Sequence, residues 1–150
     1  MTLSGVAFAF SALSYHTAHR PEPEFVVSFH HAGAVMEARK LTKEEIDKRL
    51  PHMRAQVNVS RQRAPVRLRV RLDGEVALDR SFAAKGLSHD GASVGLVRLP
   101  VTPGMRTVRV EIADTADPEV WTRQWSDTVM FETNRARVLL FDTKAGFTLH

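Results

Sequence analysis

Gly91-Ala92-Ser93-Val94-Gly95 has the G-x-S-x-G spacing of a nucleophile elbow, and His89-Asp90 stands just before it. That spacing activates a serine only where a sharp strand-to-helix turn lifts the hydroxyl above a parallel sheet. Here a loop precedes it, and the following Leu96-Val97-Arg98-Leu99 is short, β-like and stopped by Pro100. No strand–helix alternation surrounds it. The glycines read as turn residues at the start of a strand, and no residue is assigned a catalytic role.

Seven histidines raise the question of metal. His16 and His19 are three apart, so on a helix they share a face and could hold a metal or haem. His30 and His31 are adjacent, and on a strand they point to opposite faces. No third ligand stands at a recognisable spacing, and Met53 beside His52 makes no copper-carrier pattern. Surface or interfacial positions are expected for the histidines, with no metal and no cofactor.

Two groups suit partner binding better. Trp121, Arg123 and Trp125 alternate, so a strand would carry all three on one face as a cation–π ladder for a sugar or a protein. The same phase continues through Val129 and Phe131, so the rings fit a core face equally well. The second group is Arg61, Arg63, Arg67, Arg69 and Arg71, within a stretch from Asp47 to Asp73 that has no acidic residue between its ends. It suits docking on an acidic protein or on anionic headgroups, unless Glu75 and Asp79 neutralise it. Nucleic acid fits less well, because no aromatic residues interleave with these arginines to stack bases.

The elements that hold these residues are mostly strands. The chain has 150 residues, 43% hydrophobic and 25% charged, a composition of one folded domain. Its net charge of +4 favours anionic partners, and the absence of cysteine excludes disulfides, thiolate nucleophiles and cysteine-held metal. A first strand is expected over 24–30. Thr42 with Glu45 forms a capping box for a short helix over 43–50, which Pro51 stops, and a loop over 51–65 follows.

Val66-Arg67-Leu68-Arg69-Val70-Arg71-Leu72 alternates apolar and charged residues without a fault, which marks a strand buried on one face. Asp73-Gly74 turns the chain. A three-residue loop (Leu72, Asp73, Gly74) with a glycine bulge would pair Val70 with Val76 and Leu68 with Leu78. It would also set Arg71 against Glu75 and Arg67 against Asp79. Further strands are expected over 93–99, 107–112, 120–131 and 137–142. Short strands with turn residues between them predict an all-β, immunoglobulin-like antiparallel β-sandwich over 21–150, best supported over 65–142.

Residues 2–15 (TLSGVAFAFSALSY) carry no charge. A membrane span needs about 20 apolar residues, so the stretch is short for one. It reads as part of a membrane anchor over 1–20, with Tyr15 at headgroup depth. A signal-peptide remnant and an ordinary core segment are the alternatives.

In this order, the apolar segment, FVVSFHH, VRLRVRLDGEVALDRSF, the GLSHDG loop, LPVTPGMRTVRVEIAD and RVLLFDTKAGF resemble small bacterial β-sandwich proteins of unassigned function. These are membrane-anchored and accompany respiratory membrane complexes, notably haem–copper oxidases. The resemblance implies a single-span, non-catalytic accessory subunit of a bacterial respiratory complex. Its location would be the inner membrane, with the sandwich on the periplasmic side, although a basic block also suits the cytoplasmic face. Its partners would be protein subunits of the complex, with neither nucleic acid nor a small-molecule substrate. The alternatives are a soluble or secreted binding module for carbohydrate or an anionic ligand, and a copper- or metal-handling protein.

Overall fold

A computed structural model describes residues 21–36, 39–40, 42–53, 57–58 and 61–150. The apolar segment over 2–15, with its anchor reading, lies outside them, as do His16 and His19. Among the described residues no helix is long and apolar enough to cross a membrane.

The described residues form ten strands: β1 (Glu24–His31), β2 (Arg39–Lys40), β3 (Val57–Asn58), β4 (Val66–Leu72), β5 (Glu75–Phe82), β6 (Ser93–Pro100), β7 (Gly104–Ala113), β8 (Arg123–Phe131), β9 (Ala136–Asp142) and β10 (Gly146–Leu149). Eight of them form two four-stranded sheets, β10-β9-β1-β6 and β5-β4-β7-β8; β2 and β3 pair separately. The expected sandwich is therefore present. Its strand order is not the immunoglobulin one, which joins the first strand to the second in one sheet. Here β1 lies between β9 and β6, and it runs parallel to β9, so that sheet is mixed rather than purely antiparallel.

Alternation along each strand sends one set of side chains into the space between the sheets. Phe25, Val27 and Phe29 of β1 meet Val66, Leu68 and Val70 of β4, Val110 and Ile112 of β7, and Phe131 of β8 in one buried cluster. Edge-to-face contacts between Phe25 and Phe131 (5.9 Å) and between Phe29 and Phe82 (5.1 Å) join the layers. Each such pair contributes about 0.5–1.5 kcal/mol beyond its buried area.

The β4–β5 hairpin departs from expectation. Asp73 (φ 50°) and Gly74 (φ 84°) form a two-residue turn, and Leu72 lies opposite Glu75 and Arg71 opposite Val76. The register then shifts at Ala77, so that Val70 faces Leu78 and Arg69 faces Asp79. Two left-handed residues match the natural twist of a hairpin, and the bulge that restores the faces sits within β5 instead of at the turn. Asp73 also fixes the start of β7: its carboxylate accepts from the Thr107 N–H (3.0 Å) and from Arg106 (3.2 Å).

The helix, α1, spans only Lys43–Asp47, with Thr42 as its cap. The Glu45 carboxylate accepts from the Thr42 N–H (2.9 Å), as the capping box requires. Pro51 opens a 3-10 turn (Pro51–Met53), and β3 occupies part of the expected loop. β8 begins three residues later than expected, and β10 is an additional strand. The turn into β10 is held by the Asp142 carboxylate, which accepts from the Lys144 and Ala145 N–H groups (2.8 Å each). These bonds hold its pKa below the usual carboxylate range.

Candidate docking surfaces

Arg67, Arg69 and Arg71 all point out of the β5-β4-β7-β8 sheet, as their alternation requires. They are not free. Arg67 grips Asp79 with two parallel bonds (Nε to Oδ1 and Nη2 to Oδ2, 2.8 Å each) and reaches Glu119 Oε1 at 2.7 Å. Arg69 Nε donates to Glu111 Oε2 at 2.6 Å, Arg71 Nε lies 3.6 Å from the same oxygen, and Arg109 lies 3.3 Å from Oε1.

Glu111 is only 3% exposed. Burial alone would raise its pKa, but the Arg69 hydrogen bond and the charges of Arg69, Arg109 and Arg71 hold it below the usual range. Asp79 is held low by the hydrogen bond and charge of Arg67. Four arginines thus meet three carboxylates on this face. The basic row of the sequence becomes a largely paired network with one positive charge in excess.

Trp121 forms its lid. The indole lies over Arg69 (4.1 Å) and Arg67 (5.0 Å). The expected ladder with Arg123 and Trp125 is therefore absent. Thr122 separates the two rings: its N–H donates to the Ile112 carbonyl (2.9 Å) and its hydroxyl to Asp114 Oδ1 (2.6 Å). These bonds keep residues 118–122 out of the strand and turn Trp121 onto the arginine face. Trp125, in register with Val110, packs half-buried against the core, and Arg123 is exposed at the start of β8.

Arg61 and Arg63 do not extend the row. Arg61 is exposed in the segment before β4. Arg63 clamps two loops, with Nη1 donating to the Gly33 carbonyl and Nε to the Asp90 carbonyl (3.0 Å each). It borders a cleft of about 210 Å³ with Met36, Pro65, Ala84 and His89.

Ser93 begins β6, is fully buried, and donates its hydroxyl to the Phe82 carbonyl (3.0 Å). Gly95 lies under the Phe29 ring, where a β-carbon would collide with it, and a β-carbon at Gly91 would press on the Lys85 carbonyl. Close backbone packing thus accounts for each part of the G-x-S-x-G pattern.

His31 is the polar residue that departs most from expectation. It is 4% exposed rather than at the surface. Nε2 lies 2.6 Å from Asp114 Oδ2, Nδ1 lies 2.8 Å from Thr143 Oγ1, and Phe141 packs edge-on against the ring. In the neutral ring, Nε2–H donates to Asp114 and Nδ1 accepts from Thr143. Burial would raise the Asp114 pKa, but hydrogen bonds from Thr122 and His31 and the positive charge of Arg123 hold it below the usual carboxylate range. The bond joins the end of β1 in one sheet to the end of β7 in the other. Phe25, Val27 and Phe29 already place odd-numbered residues of β1 inward, so the alternation contained this signal. Among the described residues, no group of three or more histidines and carboxylates could hold a metal ion.

The outer face of the β10-β9-β1-β6 sheet is different in kind. Register sets Leu140, Ser28 and Leu96 in one row, Val138, Val26 and Arg98 in the next, and His30 beside Val94. Val94, Leu96 (59%) and Leu140 are exposed large apolar residues. Arg98 pairs with Glu24 (3.3 Å) at the rim. An apolar strip bordered by polar groups is the composition of a protein interface.

Comparison with known proteins finds no matching family model, no matching curated protein and no matching solved structure.

Proposed function

We propose that this chain is a non-catalytic accessory subunit that binds protein subunits of a bacterial membrane complex through the outer face of its β10-β9-β1-β6 sheet. The observation that carries this reading is the contrast between the two outer faces. One pairs most of its charges and confines its exposed Met105 and Met130 to the end where β7 begins; the other leaves Val94, Leu96 and Leu140 in water. Burying such a strip against a partner gains about 25 cal/mol per Å², whereas stripping water from the paired arginines gains little.

The charge-free segment over 2–15 supplies the anchor in this reading, and the resemblance of the segment order supports a respiratory complex in the inner membrane. The periplasmic side suits the sandwich, since the arginine row keeps little charge to offer anionic headgroups. The carbohydrate reading required both tryptophans on one face, and they lie on opposite sides of their sheet. The copper reading rests on His16 and His19 alone.

Extraction of membranes in mild detergent tests the proposal. Leu96→Lys with Leu140→Lys is expected to release the chain from its complex, while Arg109→Gln on the arginine face leaves it bound. A wild-type chain that fractionates without membranes, or a lysine pair that stays bound, would contradict it.

A further inference from the structure

In the two four-stranded sheets, four strands leave an edge unpaired among the described residues: β10, β6, β5 and β8. Open edges invite pairing with another chain, and folded proteins protect them by shortness, bulges, or charges placed along the strand. Three of the four are protected. β10 has four residues. β5 carries a bulge and the adjacent charges Asp79 and Arg80. β8 carries Arg123, and Asp127 stands opposite the inward-facing Val108.

β6 is the least protected, with no bulge and with a single charge, Arg98, and Pro100 only at its end. It runs eight residues in unbroken register with β1. Its core-facing positions, Ser93, Gly95, Val97 and Leu99, are uncharged, and its outer face offers Val94, Leu96 and one cation, Arg98. It also borders the apolar strip.

We infer that two copies of this chain pair antiparallel through their β6 edges, extending the sheet to eight strands and joining the two apolar strips. The strand is complementary to itself under a two-fold axis. With the axis at Leu96, the two Leu96 side chains meet, Gly95 faces Val97, and Val94 faces Arg98. No like charges face one another. An axis at Arg98 would oppose two cations; an axis at Leu96 opposes none and brings the exposed Leu96 side chains together. This pairing uses the edge of the sheet and goes beyond the proposed docking, which uses its face.

The absence of cysteine makes the test direct. Single-cysteine variants of the full chain in mild detergent would be oxidised gently and separated under non-reducing conditions. Leu96→Cys is expected to form disulfide dimers at least about tenfold more than Ser81→Cys on β5 or Thr128→Cys on β8, whose edges are protected.

A second substitution then distinguishes this geometry from general apolar contact. In the Leu96→Cys chain, Val94→Lys opposes Arg98 of the other copy and is expected to cut cross-linking about tenfold, whereas Val94→Glu, equally polar, preserves it. Val94 is exposed, so both variants keep the fold, which circular dichroism checks. Equal cross-linking at all three edges, or equal loss with lysine and glutamate, would overturn the inference. Loss of the membrane complex with cross-linking intact would count against the proposed docking alone.

Discussion

Glu111→Gln removes one negative charge from beneath three arginines while keeping the size of the side chain. The side chains are 4% exposed for Glu111, 17% for Arg69, 34% for Arg71 and 48% for Arg109. Breaking a fully buried pair costs about 3–5 kcal/mol, and an exposed one about 0–1 kcal/mol. The Arg69 bond at 2.6 Å belongs nearer the first class and the other two contacts nearer the second. A loss of about 2–3 kcal/mol follows once water screening of the arginines is allowed for.

For a domain of this size that lowers the Tm by about 4–12 °C. Thermal and urea unfolding followed by tryptophan fluorescence measure it, and Trp121, lying on Arg69, reports on the site itself. pH supplies a second readout. Because the folded-state pKa of Glu111 is lowered, its contribution is present above the ordinary glutamate value of about 4.3 and is lost as pH falls through and below it. The glutamine variant should therefore show a flatter loss of stability in acid. A change under about 0.5 kcal/mol, as for an ordinary surface substitution, or an unchanged acid slope would refute the reading of this network.

His31→Ala is expected to lose about 2–4 kcal/mol, because it removes a packed ring and leaves the Asp114 carboxylate without its inter-sheet partner; urea unfolding checks this. Thr143→Val, at the more exposed end of the same chain of bonds, should lose about 1 kcal/mol by the same measurement. Gly95→Ala and Gly74→Ala separate two uses of glycine. The first drives a methyl into the Phe29 ring and should cost about 1–3 kcal/mol. The second meets open space and should cost only about 1 kcal/mol, for a left-handed residue at φ +84°. Thermal unfolding of both ranks them.

What the sequence made legible follows from the range of each interaction. The alternation of β4 is local, and the structure buries Val66, Leu68 and Val70 while turning Arg67, Arg69 and Arg71 outward. The capping box at Thr42 and Glu45 is equally local, and it formed. The strand order depends on which sheet each strand joins, and alternation carries no information about that. The β4–β5 register turned on a bulge at Ala77, which a faultless alternation in β4 does not disclose.

The surroundings of the candidate surfaces were only partly legible for the same reason. Asp79 is near enough in the hairpin to be matched with Arg67, but Glu111 is 42 residues distant from Arg69 in the chain, and Trp121 arrives from a loop. The tryptophan ladder was lost to Thr122, whose bonds to Ile112 and Asp114 stop the strand. His31 could have been placed inward from Phe25, Val27 and Phe29. Its partners Asp114 and Thr143 could not have been, because they come from two other strand ends.

The claim that docking uses the apolar face and not the arginine face is tested most directly by the sedimentation of the detergent-extracted chain. The wild type and Arg109→Gln, on the arginine face, are expected to travel with a larger membrane complex, and the Leu96→Lys, Leu140→Lys chain to travel apart from it with its fold intact. A lysine variant that stays in the complex, or an arginine variant that alone leaves it, would show that the docking surface has been placed on the wrong side of the sandwich.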